Sequence, residues 1–206
     1  TSNLLDQFSE ESSSKEPSET NATDDESTSE SEELTLSVSP ETIETGGTVE
    51  LSPSGGKKPY TFEVDPIDLH LGVKGTISDQ TYTSGTSTIG TIEITLSDAD
   101  NNSTSAQITV LPPKPADFTA DGTVVGPKDI ALSWTYNSKD LIDEYKITRS
   151  IDGGAFEAIA SSPIEDPTNT AIVDTNANPQ ENIYRLYAVA GEYESDFVEA
   201  SAKGNP

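Results

Sequence analysis

Short runs of alternating apolar and polar residues fill the chain from Leu34 onwards and constrain its fold more than any other feature. Leu34, Leu36 and Val38 alternate with Thr35 and Ser37, which is the period of a half-buried β-strand. Each run is bounded by Gly, Pro, Asn, Asp or Ser, and no helical periodicity of ten residues interrupts them. Many short strands with regular turns predict an antiparallel all-β sandwich or barrel.

The runs form two sets on either side of a proline-rich stretch, Pro112-Pro113-Lys114. The first set predicts strands over 34–38, 48–51, 60–64, 76–77, 88–96 and 105–111, and the second over 118–120, 130–134, 144–150, 155–160, 170–174, 183–189 and 197–201. Because seven strands in such a length are typical of an immunoglobulin-like sandwich, we predict two of them in tandem. Their expected bounds are 34–111 and 115–203, joined by a stiff linker at 112–114.

Residues 1–33 are of low complexity and contain 11 acidic residues against one basic residue, Lys15, with Ser and Thr filling most of the rest. Such a segment cannot bury enough apolar area to offset the entropy lost on ordering. We therefore expect a disordered, extended acidic leader.

Charge and composition exclude several classes of function. The 37 acidic and 11 basic side chains give a formal net charge of −26, which repels nucleic-acid phosphates and anionic lipid surfaces and favours a monomer. There is no Cys, so disulfides, zinc thiolates and thiol nucleophiles are absent. No apolar run approaches the length of a membrane span. Since the chain does not begin with Met, we expect it to start inside a longer precursor.

The second set of strands carries Trp134, the run Glu144–Phe156 with its Asp-Gly-Gly turn, and the run Tyr184–Val189. In these features it resembles the fibronectin type III family. The resemblance implies a core role for Trp134 and a tyrosine corner at Tyr184, whose hydroxyl would bond to backbone near 178–181. The Asp-Gly-Gly turn also has a physical reason, because a tight hairpin needs the positive φ that glycine adopts without steric cost.

The first set contains 36–40, 55–62, 75–78, 82–83 and 94–110, and in these segments it resembles a bacterial immunoglobulin-like repeat. Residues 65–73 fit the pattern less well, and we interpret them as a loop insertion. Such repeats are typical of bacterial surface proteins and lipoproteins. The resemblance therefore implies an extracellular or cell-surface location, with a lipid anchor in the cell envelope or outer membrane attached upstream of Thr1.

One segment has the residue types of a metal site. Asp98, Asp100 and Asn102 alternate like the start of a calcium loop, in which carboxylate and amide oxygens are the ligands. However, Ser103 replaces the turn glycine, and Thr109 stands where a bidentate Glu is needed. The same residues favour hairpin turns, so a plain turn is preferred over a Ca²⁺ site. No other cofactor is predicted.

The sequence also argues against catalysis. His70 is the only histidine, and its neighbours Asp65 and Asp68 give no recognised ligand spacing, so we interpret it as a solvated loop residue. A Gly-x-Ser-x-Gly elbow and a phosphate-binding glycine loop before a helix are both missing. We predict that the chain is not an enzyme.

Aromatic residues supply the remaining candidates. Tyr136, Tyr145 and Tyr187 are expected in the core or on a sheet face, whereas Tyr193, in the turn 191–194, is predicted to contact a protein or glycan partner. We predict a non-catalytic extracellular binding, adhesion or spacer protein. The alternative is a pair of accessory modules, spacer or carbohydrate-binding, from a secreted carbohydrate-active enzyme.

Overall fold

The computed structural model describes residues 32–123, 126 and 128–204. The described chain is built of β-strands with one 3-10 turn, η1 (Lys139–Leu141), and it contains no α-helix. No helix in these ranges has the length and apolarity needed to cross a membrane. The predicted acidic leader lies outside the described residues except for Glu32 and Glu33.

Eight strands form the first sandwich. One sheet has the order β1 (Thr35–Ser39), β3 (Thr48–Ser54), β6 (Thr81–Thr83), β5 (Thr76–Ser78), and its pairs are antiparallel. The other has the order β2 (Thr42–Glu44), β8 (Ser103–Leu111), β7 (Ile89–Ser97), β4 (Thr61–Leu71), in which only the pair of β2 and β8 is parallel.

The alternation of the strands places one face of each in the core. In β7, Ile92, Ile94 and Leu96 are completely buried, while Glu93 and Thr95 between them are partly exposed. Each buried aliphatic side chain contributes about 1.5–3 kcal/mol. The period-two prediction is therefore confirmed where the strand is regular.

The interpretation of residues 65–73 as a loop insertion is wrong, because β4 continues to Leu71 and pairs with β7 along most of its length. The register shifts between Pro66 and Asp68 and again between Leu69 and Leu71. Each bulge reverses which side chains face inward, so the sequence loses its alternation although the strand continues. Gly90 lies opposite the bulges with φ +146, where a Cβ would come within 2.2 Å of the Asp68 carbonyl oxygen.

The second sandwich also has two sheets. The first has the order β13 (Ala171–Asp174), β10 (Ile130–Thr135), β9 (Ala116–Asp121). In the second, β12 (Glu157–Ala158), β11 (Glu144–Ile151) and β14 (Glu181–Ala190) are adjacent, and both β15 (Tyr193–Glu194) and β16 (Val198–Lys203) pair with β14. The Asp-Gly-Gly turn after β11 has the positive φ that its residues predict, +51 at Asp152 and +78 at Gly153.

Aromatic rings dominate the second core. Trp134 is 4% exposed and meets Tyr145 edge to face at 5.1 Å between ring centroids, and Tyr136 meets Tyr145 at 5.7 Å. Phe118 completes the group from β9, 6.4 Å from Trp134. Such pairs contribute about 0.5–1.5 kcal/mol beyond the area they bury. The core positions predicted for Trp134, Tyr136 and Tyr145 are confirmed.

Tyr184 does not form the predicted tyrosine corner. Its buried hydroxyl donates to Oδ2 of Asp174 at 2.9 Å and not to backbone near 178–181. The same carboxylate oxygen lies 2.5 Å from a guanidinium nitrogen of Arg149, so the ion pair links β11 to β13 across the two sheets. Asn182 takes over the fastening of the preceding loop, since its amide nitrogen donates to the Asn178 carbonyl at 2.7 Å. The sequence does not indicate the acceptor of the Tyr184 hydroxyl, because that acceptor is a side chain from the opposite sheet.

We expect Asp174→Ala to destabilise the protein by about 3–5 kcal/mol, because it leaves Arg149 largely buried without its counter-ion. The matched control is Glu199→Ala, which removes the partner of Arg185 at an exposed ion pair of 3.1 Å and should cost less than about 1 kcal/mol. Urea unfolding followed by the fluorescence of Trp134, the only tryptophan, measures both. Equal losses in the two variants would contradict the structural role of the Asp174 pair.

Candidate functional site

The predicted calcium segment forms the tip of the hairpin between β7 and β8. Asp98 is 6% exposed, and its Oδ1 accepts hydrogen bonds from the backbone N–H groups of Asp100 and Asn102, both at 2.9 Å. Its Oδ2 accepts from the backbone N–H of Lys57 and the side-chain amide of Asn102, both at 3.0 Å. The carboxylate of Asp98 therefore fastens the hairpin tip to the loop that precedes β4.

This geometry bears directly on the calcium hypothesis. Each carboxylate oxygen of Asp98 accepts two N–H groups, and Oδ1 of Asp100 lies 2.9 Å from the Lys57 ammonium. A bound cation would have to replace these donors. Within the described ranges, no group of three or more His, Cys, Asp or Glu side chains has a geometry that holds a metal ion. Calcium binding by Asp98, Asp100 and Asn102 stays a prediction.

The same hydrogen bonds set the acidity of Asp98. The side-chain amide of Asn102 is the largest cause that lowers its pKa to about 2, and the N–H groups of Lys57, Asn102 and Asp100 act in the same direction against the opposing effect of burial. The ordinary pKa is 3.8, so the unfolded chain binds this proton more readily than the folded one. The stabilisation is therefore complete above about pH 4 and is lost as the pH falls towards 2.

We expect Asp98→Asn to remove this part of the acid sensitivity, because an amide at this position does not titrate. The melting temperature of the unsubstituted chain should fall more steeply between about pH 4 and pH 2 than that of the variant. Asp196→Asn, at an exposed position outside the hairpin, serves as control and should keep the steep fall. Parallel curves for the unsubstituted chain and Asp98→Asn would contradict the assignment.

Tyr193, the predicted partner contact, lies against the first sandwich. Its hydroxyl is 3.1 Å from Oγ1 of Thr91 and 3.2 Å from Oδ2 of Asp68. The side chain is half-buried in this position. Its role towards an external partner stays a prediction, but its hydroxyl already binds residues of the neighbouring sandwich.

His70 is also part of this contact. Its prediction as a loop residue is wrong because it lies in a strand, although the residue is exposed as predicted. It lies in β4, with its side chain 33% exposed and Nε2 3.2 Å from Oδ2 of Asp143. The same Asp143 oxygen accepts the backbone N–H of Gly191 at 2.7 Å. A Cβ on Gly191 would stand 2.7 Å from Nδ1 of His70, so only glycine allows this approach.

Apolar contacts continue the interface between the sandwiches. Ile89, at the start of β7, is completely buried and belongs to the apolar cluster of the second sandwich. Pro112 and Pro115 of the connecting segment are buried as well. We call this set the junction; its members are Asp68, His70, Ile89, Thr91, Pro112, Pro115, Asp143, Gly191 and Tyr193.

A second surface lies on the outer face of β14 and its neighbours. The guanidinium of Arg185 is placed between the rings of Phe156 and Phe197, at 3.8 and 4.2 Å from their centroids. The Phe197 ring lies 5.8 Å from Tyr187, and the Lys146 ammonium lies 5.4 Å from the Tyr187 ring. We call these five residues the aromatic ladder. Its two cations pair with Glu194 and Glu199, so the surface carries little net charge.

Sequence reasoning found only part of this ladder. Arg185 and Tyr187 alternate with buried residues along β14, which marks them as outward-facing. Phe156 and Phe197 lie outside the strands, and their positions depend on how two loops return to the sheet. Cation–π contacts of this kind contribute about 0.5–2 kcal/mol each, so the ladder also stabilises the sheet that carries it.

Comparison with protein-family models gives no match, and neither does comparison with curated proteins. Among solved structures, the chain is similar to a segment of two fibronectin type III domains from chicken tenascin, with 14% identity and a TM-score of 0.55. That match covers 83% of this chain and 99% of the other, so it extends over both sandwiches.

Two further structures match with TM-scores under 0.5. Domains A168–A170 of titin match at 12% identity and a TM-score of 0.38, over 80% of this chain and 61% of the other. A fibronectin type III domain of human collagen XX matches at 18% identity and a TM-score of 0.36, over 44% and 90%. The tenascin match, together with the strand order, shows the fold. The chain is an all-β protein of two tandem immunoglobulin-like sandwiches.

Proposed function

We propose that the chain is a non-catalytic extracellular or cell-surface protein in which the two sandwiches form a stiff arm for spacing and binding. The junction is the observation that carries this proposal. A spacer holds its ends at a fixed distance and direction only if the joint between its domains resists bending. A short linker alone, without contacts between the sandwiches, would not give the joint this resistance.

Three kinds of contact oppose bending at the junction. Tyr193 fastens the β14–β15 turn to Asp68 and Thr91, and Asp143 holds His70 and Gly191 together. Ile89 would return to water if the sandwiches separated, at a cost of about 1.5–3 kcal/mol. Bending that separates these groups loses their contacts, so they oppose movement at the joint.

The charge of the chain supports a monomeric arm. A net charge of −26 opposes self-association and contact with anionic surfaces. In this proposal the arm belongs to a bacterial lipoprotein, and residues 1–33 connect it to a lipid anchor upstream of Thr1. The precursor should then carry a signal peptide with a lipobox cysteine just before Thr1. A catalytic domain there would instead favour accessory modules of a carbohydrate-active enzyme.

We expect Gly191→Ala to loosen the junction, because the added methyl group displaces His70. Residual dipolar couplings measure the effect: both sandwiches of the unsubstituted protein should share one alignment tensor, whereas the variant should require two. Gly153→Ala is the matched control. It places alanine at a similar positive φ, a strain of roughly 1–2 kcal/mol, but nothing lies within 4 Å of the added Cβ.

The control should keep a single tensor, which separates loss of the His70 approach from backbone strain. Two different tensors in the unsubstituted protein would overturn the stiff-arm proposal. A common tensor in Gly191→Ala would show that the contact of Gly191 with His70 does not hold the junction.

A further inference from the structure

The first sandwich has a groove that neither the junction nor the aromatic ladder includes. It is an open depression of about 790 Å³ between β4 and β5, which are the last strands of their sheets and lie next to each other. This volume is within the range of about 300–1,000 Å³ that small-ligand sites occupy. Pro53, Pro59, Tyr60, Phe62 and Ile77 form its apolar floor, and Lys58, Asp79 and Gln80 form its polar rim.

The floor is held in place by the core beneath it. Phe62 and Ile77 are half-buried and pack against the apolar cluster of the first sandwich. The Tyr60 hydroxyl donates to the Gly55 carbonyl at 2.5 Å, which fixes the direction in which the side chain points. The floor therefore exists without a ligand, and little ordering entropy is lost when one binds.

The polar rim is also anchored. Asp79 and Gln80 form the β5–β6 turn with φ +48 and +61, and the Gln80 carbonyl accepts the backbone N–H of Leu51 at 2.8 Å. Lys58 approaches from the opposite loop, with its ammonium 5.9 Å from the centre of the Tyr60 ring. The rim thus presents an ammonium, a carboxylate and a carboxamide around an aromatic surface.

We propose that this groove binds a neutral oligosaccharide. A pyranose ring has an apolar face of C–H groups and an edge of hydroxyl groups, and the groove offers a surface for each. Tyr60 and Phe62 supply the face against which the C–H groups pack, and Asp79, Gln80 and Lys58 supply acceptors and donors for the hydroxyl groups. This proposal is independent of the stiffness of the junction.

Charge favours a neutral ligand over an acidic one. The rim has one cation, Lys58, against one carboxylate, Asp79, and the chain around it carries a net charge of −26. An anionic polysaccharide would therefore be repelled over long range and would gain no local excess of positive charge. An apolar peptide side chain would use the floor alone and leave the rim without a function.

Amide chemical shifts of the ¹⁵N-labelled chain provide the test. The probes are neutral oligosaccharides, namely hexamers of β-1,4-glucose, β-1,4-N-acetylglucosamine, α-1,4-glucose, β-1,4-mannose and β-1,4-galactose. Each is added to about 10 mM, enough to saturate a site of millimolar affinity. We expect at least one to shift the amides of Lys58, Tyr60, Asp79 and Gln80 while those of the aromatic ladder stay unchanged. A galacturonate oligomer is the anionic comparison and should bind more weakly.

Variants assign the chemistry within the groove. Tyr60→Ala removes half of the stacking surface and should weaken binding by roughly tenfold or more, equivalent to about 1.4 kcal/mol. Asp79→Asn keeps a residue that tolerates positive φ, changes only one acceptor, and should weaken binding severalfold without altering the fold. Tyr187→Ala, which removes the same side chain from the aromatic ladder, is the matched control and should bind like the unsubstituted protein.

Three results would overturn the proposal: no shift in the groove with any neutral probe, shifts confined to another surface, or unchanged affinity in both Tyr60→Ala and Asp79→Asn. Groove shifts caused by an uncharged aromatic peptide, with none from the sugars, would make the site a peptide site and would equally overturn it. Because these measurements do not depend on the alignment tensors, failure here leaves the stiff-arm proposal intact, and the reverse also holds.

Discussion

Burial of one face of each strand is the constraint on which both sandwiches depend, and it leaves the ends and edges of each core to be closed by other groups. In the first core Ile92, Ile94 and Leu96 are covered by the opposite sheet, but Phe62 and Ile77 at the edge are only half-covered. At the end of the second core the covering group is Ile89, which comes from the neighbouring sandwich. The junction and the groove thus follow from one requirement. Where the neighbouring sandwich covers the end of a core, the result is a joint. Where none of the described residues covers the edge, apolar side chains stay partly exposed and line the groove.

The abundant carboxylates serve a second structural purpose, which is to hold turns. Asp98, Asp121 and Asp166 each accept the backbone N–H of the residue two positions later, at 2.7–2.9 Å. For Asp121 and Asp166 the hydroxyls of Thr123 and Thr168 are the largest cause of a lowered pKa. These three turn carboxylates are therefore internal acceptors, a role that local sequence does not distinguish from that of a metal ligand. The donors that they bind come into view only in the folded chain.

The regular strands and the two sandwiches were predicted from local period-two alternation, and the positive φ of the Asp-Gly-Gly turn from its own residues. The core position of Trp134 was implied by the resemblance to the fibronectin type III family. The second half of β4 was not predicted as a strand because its two bulges change the inward face twice. Strand β2 was not predicted because three residues are too few to show a period. The contact of Tyr193 with Asp68 joins positions 125 residues apart, and no pattern around either residue indicates the other. The groove was missed for the same reason, since its floor and rim come from three separate segments, 53, 58–62 and 77–80.

Strand β4 contributes residues to both the groove and the junction. Its first residues line the groove at Phe62, and its last residues, Asp68 and His70, belong to the junction. As the last strand of its sheet, β4 also needs protection against pairing with strands of other chains. Pro66 lacks an N–H donor, Asp65 adds a charge, and the bulges bend the edge of the sheet. The bulges then have a further consequence, because they rotate the end of β4 so that His70 and Asp68 face the second sandwich while Phe62 faces the first core. A ligand in the groove is therefore presented at a fixed angle to the second sandwich, which is the geometry that a stiff arm needs if it is to display what it binds.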